Sequence, residues 1–264
     1  MSHNFFDCHT HTEFSSCAED VTLEAYTEIA ATTASAFAVT DHSAQIFYSP
    51  DNRWGFWSDE ALPLFEEHRE GGEERIAEYI AAVRDAQCGG MQVGIELDVL
   101  PDGRKVFPDG LLETLDVVGG AVHSMPALRH SRPVEEIHAE FRRQVEALAS
   151  HGIDVLVHPY RLILAADVPV PEDLQRWTTM MAREAGFALE INSHYQFPEH
   201  DVRMVRFALE VGATIAIGTD SHRMEEFGDF SYHEQIMRKA GLTPETWQPH
   251  IFRARTRQHE AAAE

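Results

Sequence analysis

Residues 4–11 read Asn4-Phe5-Phe6-Asp7-Cys8-His9-Thr10-His11, a short apolar run that stops on two histidines. The run is continuous and aromatic rather than alternating, as a strand buried on both faces is. The same design recurs over residues 36–40, 91–97, 116–122, 154–157, 187–191 and 214–217. Helical patterns separate the runs. Residues 22–33 begin at Thr22, a plausible cap, and 73–86 follow a Gly-Gly pair. Residues 133–150 and 171–185 each open at a proline, and 171–185 and 200–211 each stop before a glycine. Strands alternating with helices mean a parallel α/β sheet, and seven such units suggest a closed or nearly closed barrel. An open doubly wound sheet is the competing architecture. The strand ends favour the barrel, because they carry chemistry.

Those ends supply His9 and His11, Asp41-His42, Glu96, His123, His158, and Asp220 with His222. The sixth run ends at Glu190-Ile191-Asn192, polar but without an obvious ligand. In parallel barrels, residues far apart in sequence converge at the C-terminal strand ends. Positions two apart on a strand face the same way, so His9 and His11 can share one ion. Imidazole mixed with carboxylate suits zinc, manganese or iron better than calcium or magnesium. Eight or nine ligands exceed what one ion accepts, so two to three divalent ions are implied, with Glu96 or Asp220 bridging. A structural zinc needs only four ligands and no open position, so this donor density points to catalysis.

Composition narrows the class of protein. The chain has 264 residues, 44% of them hydrophobic, and no repeat or linker divides it, so residues 1–264 are expected to form one domain. Lys plus Arg number 21 and Asp plus Glu 44, a net charge of −23. Such a surface repels phosphate backbones and anionic lipid, which argues against a nucleic-acid coat or a membrane-surface role. Three cysteines (Cys8, Cys17 and Cys88) are too few for a disulfide framework and suit a reducing, cytoplasmic setting. No signal peptide is read at the N-terminus, and no membrane span elsewhere.

Taken in order, His9-Thr-His11-Thr, Thr40-Asp-His42-Ser, Gly94-Ile-Glu96, His123, His158-Pro159 and Gly218-Thr-Asp220-Ser-His222 resemble the polymerase and histidinol phosphatase (PHP) superfamily. The resemblance implies a distorted seven-stranded barrel, a di- or trinuclear metal centre and hydrolysis of phosphate esters. The length looks like that of the stand-alone histidinol-phosphate phosphatases. One position departs: where the family places a third histidine, this chain has Cys17. The resemblance would group Cys17 with His42 and His222 around one ion, and a thiolate with two imidazoles is a good zinc site.

The expected chemistry is attack on phosphorus by a water whose pKa falls to about 7 on the cations. Its small-molecule substrate is a phosphate monoester resembling histidinol phosphate. A nucleotide or cyclic phosphodiester and an amidohydrolase reaction are the alternatives. A non-catalytic metal-binding role fits poorly with so many intact motifs. Asp220, His222 or a metal-bound water would protonate the leaving group. Asp7 and Asp41 are expected to orient imidazoles. Arg161 is placed to clamp phosphate oxygens, with His194 and Tyr195 as further substrate contacts. Residues 43–62, carrying Phe47, Tyr48, Trp54, Phe56 and Trp57, read as a substrate lid.

Overall fold

The computed structural model describes residues 5–33 and 35–254, so Asn4 of the first run lies outside the described residues. Seven parallel strands follow one another in sequence order around a curved sheet: β1 (Phe6–Thr10), β2 (Ala36–Val39), β3 (Gly90–Asp98), β4 (Val117–Ala121), β5 (Val155–Leu156), β6 (Ala188–Asn192) and β7 (Ile215–Gly218). The strand ladder does not run continuously from β7 back to β1. The gap is bridged at the top, where Thr10 pairs with Ser221 and the Asp220 amide donates to the His9 carbonyl at 2.8 Å. The result is the nearly closed α/β barrel expected from the seven-fold pattern. Cys8, Ala121, Val155, Ala188 and Ala216 form one small buried cluster. Because five strands of one sheet contribute to it, it fills the concave side.

Helices cover the outside of the sheet. They are α1 (Leu23–Thr32), α2 (Ser43–Phe47), α3 (Ala61–Ala86), α4 (Pro126–Arg129), α5 (Val134–Ser150), α6 (Arg161–Ala165), α7 (Glu172–Ala185), α8 (Pro198–Val211) and α9 (Ser231–Ala240). Thr22 caps α1 by accepting from the Ala25 amide, and α7 and α8 stop at Gly186 and Gly212 in the left-handed conformation that glycine tolerates. No described helix is long and apolar enough to cross a membrane.

Two expectations are corrected. Helix α3 begins at Ala61 and runs straight through Gly71-Gly72, where the pattern placed its start at 73. The reason is packing: a Cβ on Gly72 would lie 2.7 Å from the Phe47 ring, so the missing side chain admits that ring against the helix. The segment 43–62 is correspondingly not a free lid. Phe47, Tyr48 and Phe56 are buried in the main core, and Arg75 donates to the Phe47 carbonyl. Only Trp54, 62% exposed and stacked near Trp57, stands out into solvent. The aromatics anchor the segment instead of releasing it.

Behind β6, the α8 residue Asp201 accepts a hydrogen bond from the Tyr232 hydroxyl of α9. Burial pushes its carboxyl up from 3.8 to about 7, against the lowering effect of that hydrogen bond. The folded chain therefore keeps a proton that the unfolded chain releases near pH 4. Stability from this group is greatest below that pH and is lost as pH rises towards 7. Asp201→Asn, which keeps an acceptor for Tyr232 and never ionises, should match the wild type near pH 4. It should be more stable by on the order of 2 kcal/mol at pH 8. Urea unfolding at both values checks this, and an equal difference at the two would refute it.

Candidate metal centre

Each apolar strand ends by releasing one polar side chain over the same end of the barrel. Around the wholly buried Glu96 of β3 stand imidazoles from four other strand ends. His158 Nε2 lies 2.8 Å and His123 Nε2 3.2 Å from Oε1; His9 Nε2 lies 3.6 Å and His11 Nε2 3.8 Å from Oε2, which His42 Nδ1 also contacts closely. Asp220 is the second hub, with His11 at 2.9 Å, and His9 and His222 each at 3.5 Å from Oδ1. All eight strand-end ligands read from the sequence meet here. Several triplets, among them His9–His11–Glu96, His9–His158–Asp220 and His42–Glu96–His123, bring their ligand atoms within 4.8 Å of one another.

The hydrogen bonds fix which nitrogen faces inward. His9 Nδ1–H donates to Glu190 at 2.8 Å and His123 Nδ1–H to Asp98 at 2.8 Å, because a carboxylate only accepts. His222 Nδ1–H donates to the Asp220 carbonyl at 2.7 Å. When these rings are neutral, the Nε2 lone pairs of His9 and His123 point at carboxylate oxygens, an arrangement stable only with positive charge between them. His9 Nε2, His42 Nδ1 and Glu96 Oε2 are sealed from solvent without a hydrogen-bond partner. That donor set fits transition-metal ions, with neutral imidazole and ionised carboxylate as the required states.

Electrostatics keep both carboxylates, Glu96 and Asp220, ionised. Burial alone would raise the Glu96 carboxyl, but His42, His123 and His9 hold it well below the usual range. Burial likewise opposes ionisation of Asp220, and His9, His11 and His222 overcome it. Burial and the neighbouring His11 push His222 down to about 4, so it is neutral at physiological pH. His123 goes the other way, to about 9, because Glu96 and Asp98 outweigh its burial.

Cys17 lies beside His11 and His42, its sulfur within 4.8 Å of their ligand nitrogens. Burial, then Glu96 and Asp220, push its thiol up to about 12. It is a neutral thiol unless a cation displaces the proton. Arg161, the first residue of α6, lines a small recess with His158, Glu190, Asn192 and Tyr195. His194 donates to Glu226 at 3.0 Å and its ring lies 4.5 Å from that of His222.

The imidazole-orienting carboxylates are not those expected. Asp7 takes the Thr219 amide and hydroxyl at 2.9 and 2.6 Å, tying β1 to β7, and touches only the backbone of His9. Asp41 holds the Thr12 amide and hydroxyl and the Ser15 hydroxyl, and reaches His11 only through Ser15. Glu190 and Asp98 do the orienting instead. The sixth strand end, which offered no ligand, supplies second contacts: Glu190 also accepts from the His158 amide, and Asn192 Nδ2 donates to Glu190 and to Asp220. Strand parity narrows the candidates without choosing among them. Asp98 stands two residues after Glu96 and Glu190 two before Asn192, but Asp7 also stands two before His9.

Comparison with known proteins bears on this geometry. A profile of the PHP domain matches residues 7–194. The chain belongs to the PHP domain family. It is 28% identical over 247 residues to a probable phosphatase of Aeromonas hydrophila, covering 90% of this chain and 87% of that one. Similarity to the DNA polymerase/3'-5' exonuclease PolX of Bacillus subtilis is 27% over 146 residues, covering 55% of this chain and 24% of PolX. A probable phosphatase of Thermoanaerobacter is 26% identical over 157 residues, covering 57% of this chain and 60% of that one. The match thus spans a quarter to three fifths of these last two relatives. The histidinol phosphate phosphatase of Lactococcus lactis, solved with zinc, L-histidinol and phosphate, superposes with a TM-score of 0.54 at 16% identity, over 91% of this chain and 95% of that one.

The orienting pairs yield a prediction for this PHP protein. Partners that fix a ligand's tautomer typically carry 10- to 100-fold in metal affinity. Glu190→Ala and Asp98→Ala should each weaken zinc binding by about that factor, and Asp41→Ala by clearly less. Competition against a chromophoric chelator measures all three. Equal losses would mean that Asp41 orients an imidazole after all.

Proposed function

We propose that the protein is a metal-dependent phosphoesterase that hydrolyses a small phosphate monoester, with histidinol phosphate as the model substrate. The observation that carries the phosphate assignment is Arg161. In a chain of net charge −23, its guanidinium has no carboxylate partner among the described residues, and its Nε is buried without a hydrogen-bond partner. It stands beside His158 at the edge of the histidine cluster. An unpaired, partly desolvated arginine is a ready fork for an anion's oxygens.

His9, His11, Glu96 and Asp220 would hold one ion, with Glu96, His123 and His158 on a second. Cys17, His42 and His222 are the remaining donors and would complete a third. Bound divalent zinc, manganese or iron would acidify water and neutralise charge on phosphoryl oxygens. The residues do the rest. Glu190 and Asp98 keep the His9 and His123 rings in the metal-binding tautomer. Arg161 holds the phosphoryl group by charge-assisted hydrogen bonds. The walls of the barrel end exclude bulk water, which strengthens each of these contacts. Asp220, an ionised carboxylate, and His222, a neutral imidazole, border the place where the leaving oxygen would be protonated. Neither holds an acidic proton, so a water would supply it; His194 and Tyr195 line the approach.

Zinc- or manganese-loaded protein should hydrolyse a panel of phosphate monoesters including histidinol phosphate. Cleavage of amides or lactones and of no phosphate ester would replace this reading with an amidohydrolase one. Glu96→Gln should lower turnover by orders of magnitude. Arg161→Ala should leave the metal content unchanged and lower kcat/KM by about one to two decades, from the loss of a charge-assisted hydrogen bond of roughly 1.5–3 kcal/mol. Elemental analysis should find two to three ions per chain. Cys17→Ala should remove about one of them, and an unchanged count would make the cysteine structural.

A further inference from the structure

We infer that Tyr195 is the positioning residue for Arg161: its ring face, in place of a carboxylate, holds the guanidinium ready for an anion. The Arg161 guanidinium carbon lies 4.5 Å from the centre of the Tyr195 ring, well within cation–π range. Arg104 and Arg176 also lie over aromatic rings, those of Phe65 and Phe207, but with Arg129 and Arg223 each of them reaches a carboxylate at 3.0 Å or closer, which Arg161 does not. A carboxylate neutralises the charge and occupies the in-plane N–H donors. An aromatic face does neither, because it engages the flat side of the ion and leaves the donors at its edge free.

The ring is itself fixed. It meets His158 edge-on at 5.7 Å and His194 edge-on at 4.8 Å, while the Tyr195 amide donates to the Asn192 side chain at 3.1 Å. Asn192 in turn donates to Asp220. The shelf under Arg161 is thus braced against the same strand ends that gather the ligands, so the arginine keeps a set position relative to them. The sequence places Tyr195 among the substrate contacts. Its observed position gives it a different task, one that works through Arg161.

This inference rests on the phosphate reading of the site, and two separate readouts keep them distinguishable. Binding of inorganic phosphate to the zinc-supplemented protein, by calorimetry, reports on the clamp, and turnover of phosphate monoesters reports on the reaction. Tyr195→Leu should weaken phosphate binding roughly 2- to 30-fold, the range of a partly desolvated cation–π contact. It should raise KM by a similar factor with a smaller change in kcat. Tyr195→Phe, which keeps the ring, should behave as the wild type. Arg161→Ala combined with Tyr195→Leu should bind phosphate no more weakly than Arg161→Ala alone. If Tyr195→Leu does not fold, Tyr195→Met supplies the same volume without the ring face.

Wild-type affinity in Tyr195→Leu or Tyr195→Met, or equal losses in Tyr195→Phe and Tyr195→Leu, would overturn the inference. So would additive losses in the double variant, or an absence of phosphate binding that depends on Arg161 in the wild type. Failure to hydrolyse any ester while phosphate binding follows the expected pattern would instead overturn the phosphoesterase reading and leave the shelf standing.

Discussion

A carboxylate with no solvent exposure costs several kcal/mol to keep ionised unless positive charge surrounds it, and Glu96 is such a group. Five histidines lie within contact range of its two oxygens, drawn from the ends of β1, β2, β4 and β5. Their inward nitrogens face this carboxylate, and those of His9 and His11 face Asp220 as well. The centre is therefore mutually dependent: the anion makes sense of the imidazoles and the imidazoles of the anion. The barrel is the device that brings five distant segments to one point without a long loop among them. Losing one member leaves the others as buried, unpaired polar groups, which is why the rest of the structure is devoted to holding these rings still.

The cost of holding them is visible in the backbone. His158 and Asp220 have φ of +29° and +53°, a region that residues with a Cβ avoid, at a price of about 1–3 kcal/mol each. Both are candidate ligands, and each stands two residues after the end of its strand. An ordinary extended exit would aim them along the strand; the left-handed turn aims them across the barrel mouth. Gly218 makes the adjacent room. A Cβ there would fall 1.8 Å from Glu190 Oε1 and 2.9 Å from His9 Cβ, so the carboxylate that orients His9 occupies the space a side chain would take. In β1, the extra residue between Asp7 and Thr10 shifts the register against β2, just where the strand passes from core to ligands. Strain, a missing side chain and a bulge each occur within a residue or two of the centre.

How much of this was legible follows from what each residue type betrays. The strands were readable because they are apolar runs, and the ligands because a histidine or carboxylate that abruptly ends such a run is conspicuous. Glu190 and Asp98 were not, because they sit within or beside their strands and have no partner visible in one dimension; their meaning depends on His9 and His123, 181 and 25 residues away. Asp7 and Asp41 mislead for two different reasons. Asp41 adjoins His42, and neighbours on a strand face opposite ways, whereas Asp7 has the right parity two residues before His9 but is taken up by the Thr219 amide and hydroxyl across the gap between β1 and β7. The aromatic segment after His42 was taken for a lid from composition alone, whereas Gly72, 25 residues beyond Phe47, decides that its rings are buried. Cys17 stands at the centre, its sulfur within 4.8 Å of the ligand nitrogens of His11 and His42.

The acidic surface and the proposed anion site look contradictory, and range resolves the contradiction. Charges more than about 8 Å from an approaching anion are largely screened at physiological ionic strength, so most of the net −23 acts weakly at the mouth. Inside the mouth the dielectric is low and individual groups dominate. There the carboxylates are already committed to histidines, amides and hydroxyls, and Arg161 has no carboxylate partner among the described residues. An arginine tied to a carboxylate would present a neutral pair to a phosphate; one resting on an aromatic face presents its whole charge. On the proposed reading, the support of Tyr195 is thus what would allow one arginine to count in a chain that carries 44 acidic residues against 21 basic ones.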